Sequence, residues 1–363
     1  LVTGVQTCAL PICVMISASH NPMPDNGIKL FSRGGGKLDD AIEAAIEKRM
    51  GEPWVRPTGR NVGRISFDAT AADRYLSHLL GSVTTDLQGL KIVVDCANGA
   101  ASQIAPRAYE KAGATVVAIH HQPDGWNINQ DCGSTHLADL QARVIAEKAD
   151  FGIAHDGDSD RCLAVDATGA VIDGDVIMTI LARGFKERGA LRDNTIVATV
   201  MSSLGFMKAM QAADIKVITT TVGDRYVLEE MLKGNYSLGG EQSGHLIMRE
   251  FAGTGDGILT ALQLAQEVKR TNRSLADLAA AMQRFPQVLI NVSNVAKEKL
   301  ATSEKISAAV AEAEASLSEN GRVLLRASGT EPLVRVMVEA ASDNLAQEIA
   351  ASLAAVVKAE LEN

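Results

Sequence analysis

Lys91-Ile-Val-Val-Asp95 and Thr115-Val-Val-Ala-Ile119 bracket a segment that runs from a polar turn, Cys96-Ala-Asn-Gly-Ala-Ala101, into helix-forming residues through Ala112. Both brackets are unbroken apolar runs rich in β-branched residues, the pattern of strands covered on both faces. A third run, Phe151-Gly-Ile-Ala154, follows a helical stretch over 138–149. Strand, helix, strand, helix, strand predicts a parallel sheet clothed in helices. The arrangement returns downstream, where Thr195-Ile-Val-Ala-Thr-Val200 and Lys216-Val-Ile-Thr-Thr220 read as strands and 205–213, 227–232 and 256–269 as helices. We therefore expect consecutive α/β domains over 71–173 and 174–286, alike in architecture but not in sequence. From Pro286 the pattern changes. Strands over 288–292, 322–326 and 333–340 and helices over 304–318 and 346–361 predict a C-terminal α+β domain, 287–363, on an antiparallel sheet.

Toward the N-terminus, Val14 to Ile16 reads as a short buried strand ending in Ser17-Ala-Ser-His-Asn-Pro22, where the proline cannot continue a ladder. A turn at Asp25-Asn-Gly27 leads to a second strand, through Phe31. Asp39 and Asp40 then cap a helix through Met50, with Ile42, Ala45, Ile46 and Met50 on one face. Residues 14–70 are expected to hold what is present of a first α/β domain. Leu1 to Ile12 lacks the basic start and apolar core of a signal peptide. It resembles the conceptual translation of a sequencing adapter, so residues 1–13 are expected to be foreign to the fold, with the true chain beginning upstream.

The bulk numbers exclude several classes. Hydrophobic residues make up 46% and charged residues 22% of the 363, ordinary for a globular protein. A net charge of −9, with no dense Lys/Arg run, argues against nucleic acid as a partner. No apolar stretch reaches the roughly 18 residues of a membrane span. Cysteines at 8, 13, 96, 132 and 162 show no C-x-x-C spacing, which points to reduced thiols and a cytoplasmic protein.

Four segments carry chemistry. In the first, Ser19 sits at the tip of a strand-to-loop turn with His20 beside it and Lys29 ten positions on; an activated hydroxyl there can carry a covalent group, although Ser-His-Asn-Pro is also a good turn sequence. The second, His155-Asp-Gly-Asp-Ser-Asp-Arg161, places Asp156, Asp158 and Asp160 at alternating positions directly after a buried strand. Such carboxylates repel one another unless a cation intervenes, and hard oxygen ligands select Mg²⁺, Mn²⁺ or Ca²⁺. An EF-hand loop is excluded, since its sixth position is Arg161 and its twelfth Ala167. A solvated acidic turn is the bland alternative, and Arg161 could either hold a phosphate or anchor the loop. The third, Gly239-Gly-Glu-Gln-Ser-Gly-His245, offers Glu241, Ser243 and His245 as acceptors and donors of the kind vicinal sugar hydroxyls need. Upstream of it, Asp224 and Arg225 open a helix, Asp224 reading equally as an N-cap. In the fourth, Arg326-Ala-Ser-Gly-Thr-Glu-Pro332 with Arg335 beyond, the composition is that of a phosphate cradle, without the spacing of a Walker A loop.

The order of these four loops resembles the α-D-phosphohexomutases over nearly everything from Val14 to Asn363. S-A-S-H-N-P is similar to the family's phosphoserine loop, D-G-D-S-D-R to its magnesium loop, G-E-Q-S-G-H to its sugar loop and R-A-S-G-T-E-P to its phosphate loop. Gln242 resembles the branch acting on glucosamine phosphates. Ser159 stands where the family usually carries glycine, a non-ligand position that tolerates serine if its backbone angles are ordinary.

The resemblance implies a multidomain α/β architecture with mixed sheets, and a phosphoryl group carried on Ser19. It implies Mg²⁺ on Asp156, Asp158, Asp160 and the Ser19 phosphate, with His20, Lys29 and Arg161 around the reaction. Lys29 is the favoured acid/base, which requires its pKa to be lowered. Asp224, Arg225, Glu241, Ser243 and His245 would face the sugar, while Arg326, Ser328, Gly329, Thr330 and Arg335 would grip the phosphate that is not reacting. The implied reaction interconverts glucosamine 6-phosphate and glucosamine 1-phosphate through glucosamine 1,6-bisphosphate, supplying amino-sugar precursors of cell-wall synthesis. The alternatives are the same chemistry on glucose or mannose phosphate, and an inactive sugar-phosphate-binding fragment. A homodimer stays open.

Overall fold

The computed structural model describes residues 13–32, 35–36, 38–328 and 331–362. The chain packs as two compact units, Leu1–Met201 with Ala213–Ala281, and Ser202–Ala212 with Met282–Asn363.

The first unit opens with β1 (Cys13–Ser17) and β2 (Gly27–Phe31), an antiparallel pair in which Ser17 faces Gly27 and Met15 faces Lys29. Contrary to the expected buried strand, Val14, Ile16 and Ile28 share an exposed face, at 59%, 76% and 64% exposure. Side chains alternate across a strand, so Met15, Ser17 and Lys29 point the other way. Next comes α1 (Asp40–Met50), capped by Asp39 as expected, but its apolar stripe is at best half-buried and Met50 is exposed. It is followed by α2 (Ala71–Gly81).

The first larger sheet is built from β3 (Lys91–Asp95), α3 (Ala101–Lys111), β4 (Thr115–Ile119), α4 (Ala138–Glu147), β5 (Phe151–Ala154), β6 (Leu163–Asp166) and β7 (Val171–Ile172). Its order is β4-β3-β5-β6-β7. The parallel core β4-β3-β5 is as the sequence predicts, but β6 and β7 extend it antiparallel, so the sheet is mixed. Leu140 and Val144 of α4 pack on Val93, Ala154 and Val165.

In sequence, α5 (Gly174–Glu187) links this five-stranded sheet to the next one and is buried along most of its length. Its polar positions Asp175, Thr179 and Arg183 recur at helical spacing, but Asp175 and Thr179 are buried with the apolar face. The second sheet comprises β8 (Thr195–Thr199), then, after α6 (Leu204–Ala212), β9 (Lys216–Thr220), α7 (Asp224–Gly234), β10 (Leu238–Gly240) and β11 (Leu246–Met248), ordered β11-β10-β8-β9. Here too a parallel core, β10-β8-β9, gains an antiparallel edge. The unit is closed by α8 (Gly257–Thr271) and α9 (Leu275–Ala279). Buried α8 packs on α5 so closely that a Cβ on Gly184 would stand 2.4 Å from the Glu267 carboxylate, which Arg188 and Arg270 neutralise.

The second unit is a three-stranded antiparallel sheet, β12-β14-β13, built from β12 (Gln287–Ser293), α10 (Glu304–Leu317), β13 (Arg322–Ala327), β14 (Leu333–Glu339) and α11 (Asp343–Leu361). Its core joins Val334, Val336 and Val338 to Leu353, Val357 and Leu361 of α11. A buried ion pair draws α6 into this unit: Glu339 accepts from Arg322 Nε at 2.7 Å and from the Leu204 N–H at 3.1 Å, while Arg322 Nη1 donates to the Ser202 carbonyl.

Candidate active site

β5 runs directly into the acidic loop. Buried His155, the first residue past the strand, accepts from Tyr109 Oη at 2.7 Å through Nε2 and donates Nδ1–H to the Arg161 carbonyl at 3.0 Å. The carbonyl can only accept, which fixes the tautomer. Burial lowers the His155 pKa to about 4, so it serves as a neutral staple closing the loop base.

Within that staple, Asp156, Asp158 and Asp160 each offer a carboxylate oxygen within 4.8 Å of the others. Asp156 Oδ2, Asp158 Oδ1 and Asp160 Oδ1 are buried and make no hydrogen bond among the described residues. Burial, then the charges of Asp160 and Asp158, push the Asp156 carboxyl up to about 8. For Asp158 burial also raises the pKa, but hydrogen bonds from Lys29 and Ser17 outweigh it and the net shift is downward. Three converging oxygens without donors are the donor set of a hard divalent cation, and Mg²⁺ fits them. A second cluster, Asp95, His120 and Cys132, differs: the Asp95 oxygens already accept from the Ala97 and Gly133 N–H groups and from His120. Arg161 Nε lies 3.7 Å from Asp156 and 4.0 Å from Asp160.

The serine turn is fastened to this loop. Ser17 Oγ donates to Asp158 Oδ2 at 2.6 Å and accepts from the Ser19 N–H at 2.8 Å. The Ser19 carbonyl accepts from the Gly157 N–H at 3.0 Å and from Asn129 Nδ2 at 2.8 Å. A Cβ on Gly157 would lie 2.5 Å from that carbonyl, so only glycine lets the two loops meet. Ser19 adopts a left-handed φ of 52°, and its Oγ lies 3.3 Å from His20 Nδ1. Burial, then Arg161, lowers the His20 pKa, which favours the neutral ring.

Lys29 reaches across to Asp158 at 2.6 Å and Asp160 at 3.7 Å. The expected lowering of its pKa is not found. Burial pulls the pKa down, but the hydrogen bond to Asp158 and the charges of Asp158, Asp160 and Asp156 outweigh it, and the net shift is upward.

The glycine-rich loop is the tight connection of the β10–β11 hairpin. Glu241 Oε1 accepts from the Gly223 N–H at 2.9 Å, joining it to the start of α7. His245 is buried, with Nε2 3.6 Å from Asp224 and 3.9 Å from Asp160, and its backbone bridges to that of Arg161. Ser243 is exposed. Asp224 is not the N-cap: Gly223 holds that place and Asp224 occupies the first turn, its Oδ1 accepting the Arg225 N–H while Arg225 pairs with Glu229. Serine, acidic and sugar-type loops are thus brought together in the first unit.

The second unit carries the phosphate-type loop. Arg326 and Arg335 stand directly opposite on β13 and β14. Like charges so placed repel, and an anion relieves them. Arg335 Nη2 lies 3.8 Å from Glu331, and the buried Ser328 presents its carbonyl, like that of Glu331, to Lys297 Nζ. Gly329 and Thr330 lie outside the described residues.

Comparison with known proteins adds the decisive observation. Models of the phosphoglucomutase/phosphomannomutase family match in series, the α/β/α domains I, II and III at residues 3–53, 73–169 and 173–285 and the C-terminal domain at 289–356. Phosphoglucosamine mutase of Thermobifida fusca is 58% identical over 348 residues, 96% of this chain and 78% of its own length. The chain belongs to the phosphoglucomutase/phosphomannomutase family. The corresponding enzyme of Streptomyces griseus is 57% identical over 355 residues, 96% of this chain and 78% of its own length. Among solved structures, Aspergillus fumigatus N-acetylphosphoglucosamine mutase, in complex with GlcNAc-6P and magnesium, superposes with a TM-score of 0.78 at 18% identity, covering 95% of this chain and 88% of that one. A Burkholderia thailandensis family member gives 0.77 at 23% identity, covering 97% and 79%. These two likenesses bear on the fold alone.

Ser17 and His155 fall inside the quoted serine and acidic segments but carry no role there, and Asn129 and Tyr109, which also fasten the loops, lie outside every motif. The contacts of Asn129 and Tyr109 reach 110 and 46 residues along the chain, with no local pattern to mark them. One family departure has a cost: Ser159 does not meet the condition of ordinary angles, taking a φ of 63°, and its hydroxyl is buried without a hydrogen bond among the described residues. Ser159→Gly is expected to raise unfolding stability by about 1 kcal/mol in urea titrations. The acidic loop sets a pH dependence. With a folded pKa of about 8 and a lower unfolded one, the Asp156 proton is held more tightly by the folded chain, so metal-free stability declines as pH rises from about 5 to about 8. Over the same range protons compete less with metal, and calorimetric Mg²⁺ affinity is expected to rise by more than about a hundredfold, an increase that Asp156→Asn removes.

Proposed function

We propose that this chain interconverts glucosamine 6-phosphate and glucosamine 1-phosphate by way of phosphorylated Ser19 and a sugar 1,6-bisphosphate. The observation that carries the reading is the fastening of the serine turn to a carboxylate cluster short of a cation, in a chain 58% identical to phosphoglucosamine mutases. In one half-reaction the sugar O1 attacks the phosphorus on Ser19, the bond to Ser19 Oγ breaks, and the O1 proton is replaced on Oγ. The bisphosphate then presents its other end, and Ser19 Oγ takes back the phosphoryl group from O6.

Each residue has a part in that cycle. Asp156, Asp158 and Asp160 hold Mg²⁺, which when bound draws charge from the transferring phosphoryl oxygens. His20, favoured neutral and 3.3 Å from Oγ, hydrogen-bonds the serine hydroxyl as it forms and reacts. Lys29, kept cationic by its anionic neighbours, stabilises the phosphoryl charge rather than removing a proton. Arg161 keeps the acidic loop in shape. Glu241, Ser243 and His245, with Asp224 and Arg225, serve the sugar ring, Glu241 being braced by the Gly223 amide. Arg326, Ser328, Gly329, Thr330 and Arg335 take the phosphate that is not reacting, which relieves the facing arginines. We place the reaction in the cytoplasm, upstream of amino-sugar polymers.

Ser19→Ala is expected to reduce turnover by more than about a thousandfold while glucosamine 1-phosphate still binds in calorimetry; undiminished turnover removes the phosphoserine. Side-by-side rates on glucosamine, glucose and mannose 1-phosphates, with bisphosphate added, are expected to favour glucosamine, and a preference for mannose reverses the substrate assignment.

A further inference from the structure

We propose that Asn129 is a positioning residue of the transfer reaction, its amide holding Ser19 in the left-handed turn that presents the nucleophile. The proposal rests on the phosphoserine reading of Ser19. Asn129 is 5% exposed and lies in the connection between β4 and α4, far from the serine in sequence. Its Nδ2 donates to the Ser19 carbonyl and to the Asn21 carbonyl, each at 2.8 Å, so both hydrogens of one amide span the turn around His20. Asn129 is itself braced: it takes a φ of 56°, and its N–H donates to the Ala97 carbonyl at 2.9 Å.

The turn needs such a brace. A left-handed φ costs a residue with a side chain about 1–2 kcal/mol, and the β1–β2 pair that carries Ser19 buries little apolar surface on its exposed face. Ser17 and Gly157 fix the near side of the turn through the acidic loop, whereas Asn129 is the side chain that grips both the serine and the residue beyond His20. Only a group with two hydrogens on one atom can do this. Aspartate has the same shape and no donor, and would set a carboxylate against two carbonyl oxygens. In-line transfer needs the nucleophile in a narrow range of positions, so a turn free to relax loses rate rather than substrate affinity.

The test compares Asn129→Ala and the near-isosteric Asn129→Asp with Asn127→Ala, whose side chain, among the described residues, bonds Gln122 and Asp124 within its own loop. Both Asn129 variants are expected to lose about tenfold or more in kcat, with KM for glucosamine 1-phosphate and the Mg²⁺ midpoint changed by less than about threefold. Asn127→Ala keeps its kcat. Should Asn129→Ala not fold, Asn129→Asp supplies the same readouts. Wild-type kcat in either Asn129 variant overturns the proposal, as does an equal loss of kcat in Asn127→Ala at matched melting temperature. Ser19→Ala assayed alongside separates the two levels: its inactivity upholds the phosphoserine whatever Asn129 does, and its turnover overturns the reading beneath the proposal.

Discussion

Three carboxylates in one buried loop form the constraint to which the rest of the first unit answers. Asp156 is fully buried, Asp158 and Asp160 crowd it, and orphaned oxygens point into the space they share. Charges so placed need cations, and the chain supplies Lys29 from β2 and Arg161 from the loop end. Neither sits where it can bond all three orphaned oxygens. A divalent ion fits the remainder, and the phosphoryl chemistry proposed for Ser19 requires one at the same place. The electrostatic demand of the loop and the catalytic demand of the site are therefore one demand.

The α/β character and the antiparallel C-terminal sheet were legible because unbroken runs such as Lys91–Asp95 and Thr195–Thr199 bury both faces of their strands, and such runs are visible without a partner. The shortest strands were not legible. In β7, β10 and β11, two or three residues carry no period, and their pairing is decided by neighbours already in the sheet. Buried α5 was not read either, although Asp175, Thr179 and Arg183 recur at helical spacing, because they are too few to stand out in an apolar run. Of the site, the acidic loop and Ser19 could be read because their residue types make little sense as core. Ser17 could not: a serine in a strand is unremarkable until Asp158 is found 2.6 Å away. The Lys29 expectation failed on its sign. Acid/base work needs a lowered pKa, whereas carboxylates surround the ammonium directly and raise it.

Ser19 is held by polar contacts more than by a core. On the β1–β2 pair, Val14, Ile16 and Ile28 lie exposed, while the opposite face carries Ser17 and Lys29 onto Asp158. Apolar burial is indifferent to charge, but these contacts are not. The charge state of the acidic loop thus bears directly on the order of the serine turn, because Asp158 both accepts from Ser17 and pairs with Lys29. The amides of Gly157 and Asn129 are contacts on Ser19 that carry no formal charge. Charged contacts through Asp158 and neutral amides therefore hold the same turn together.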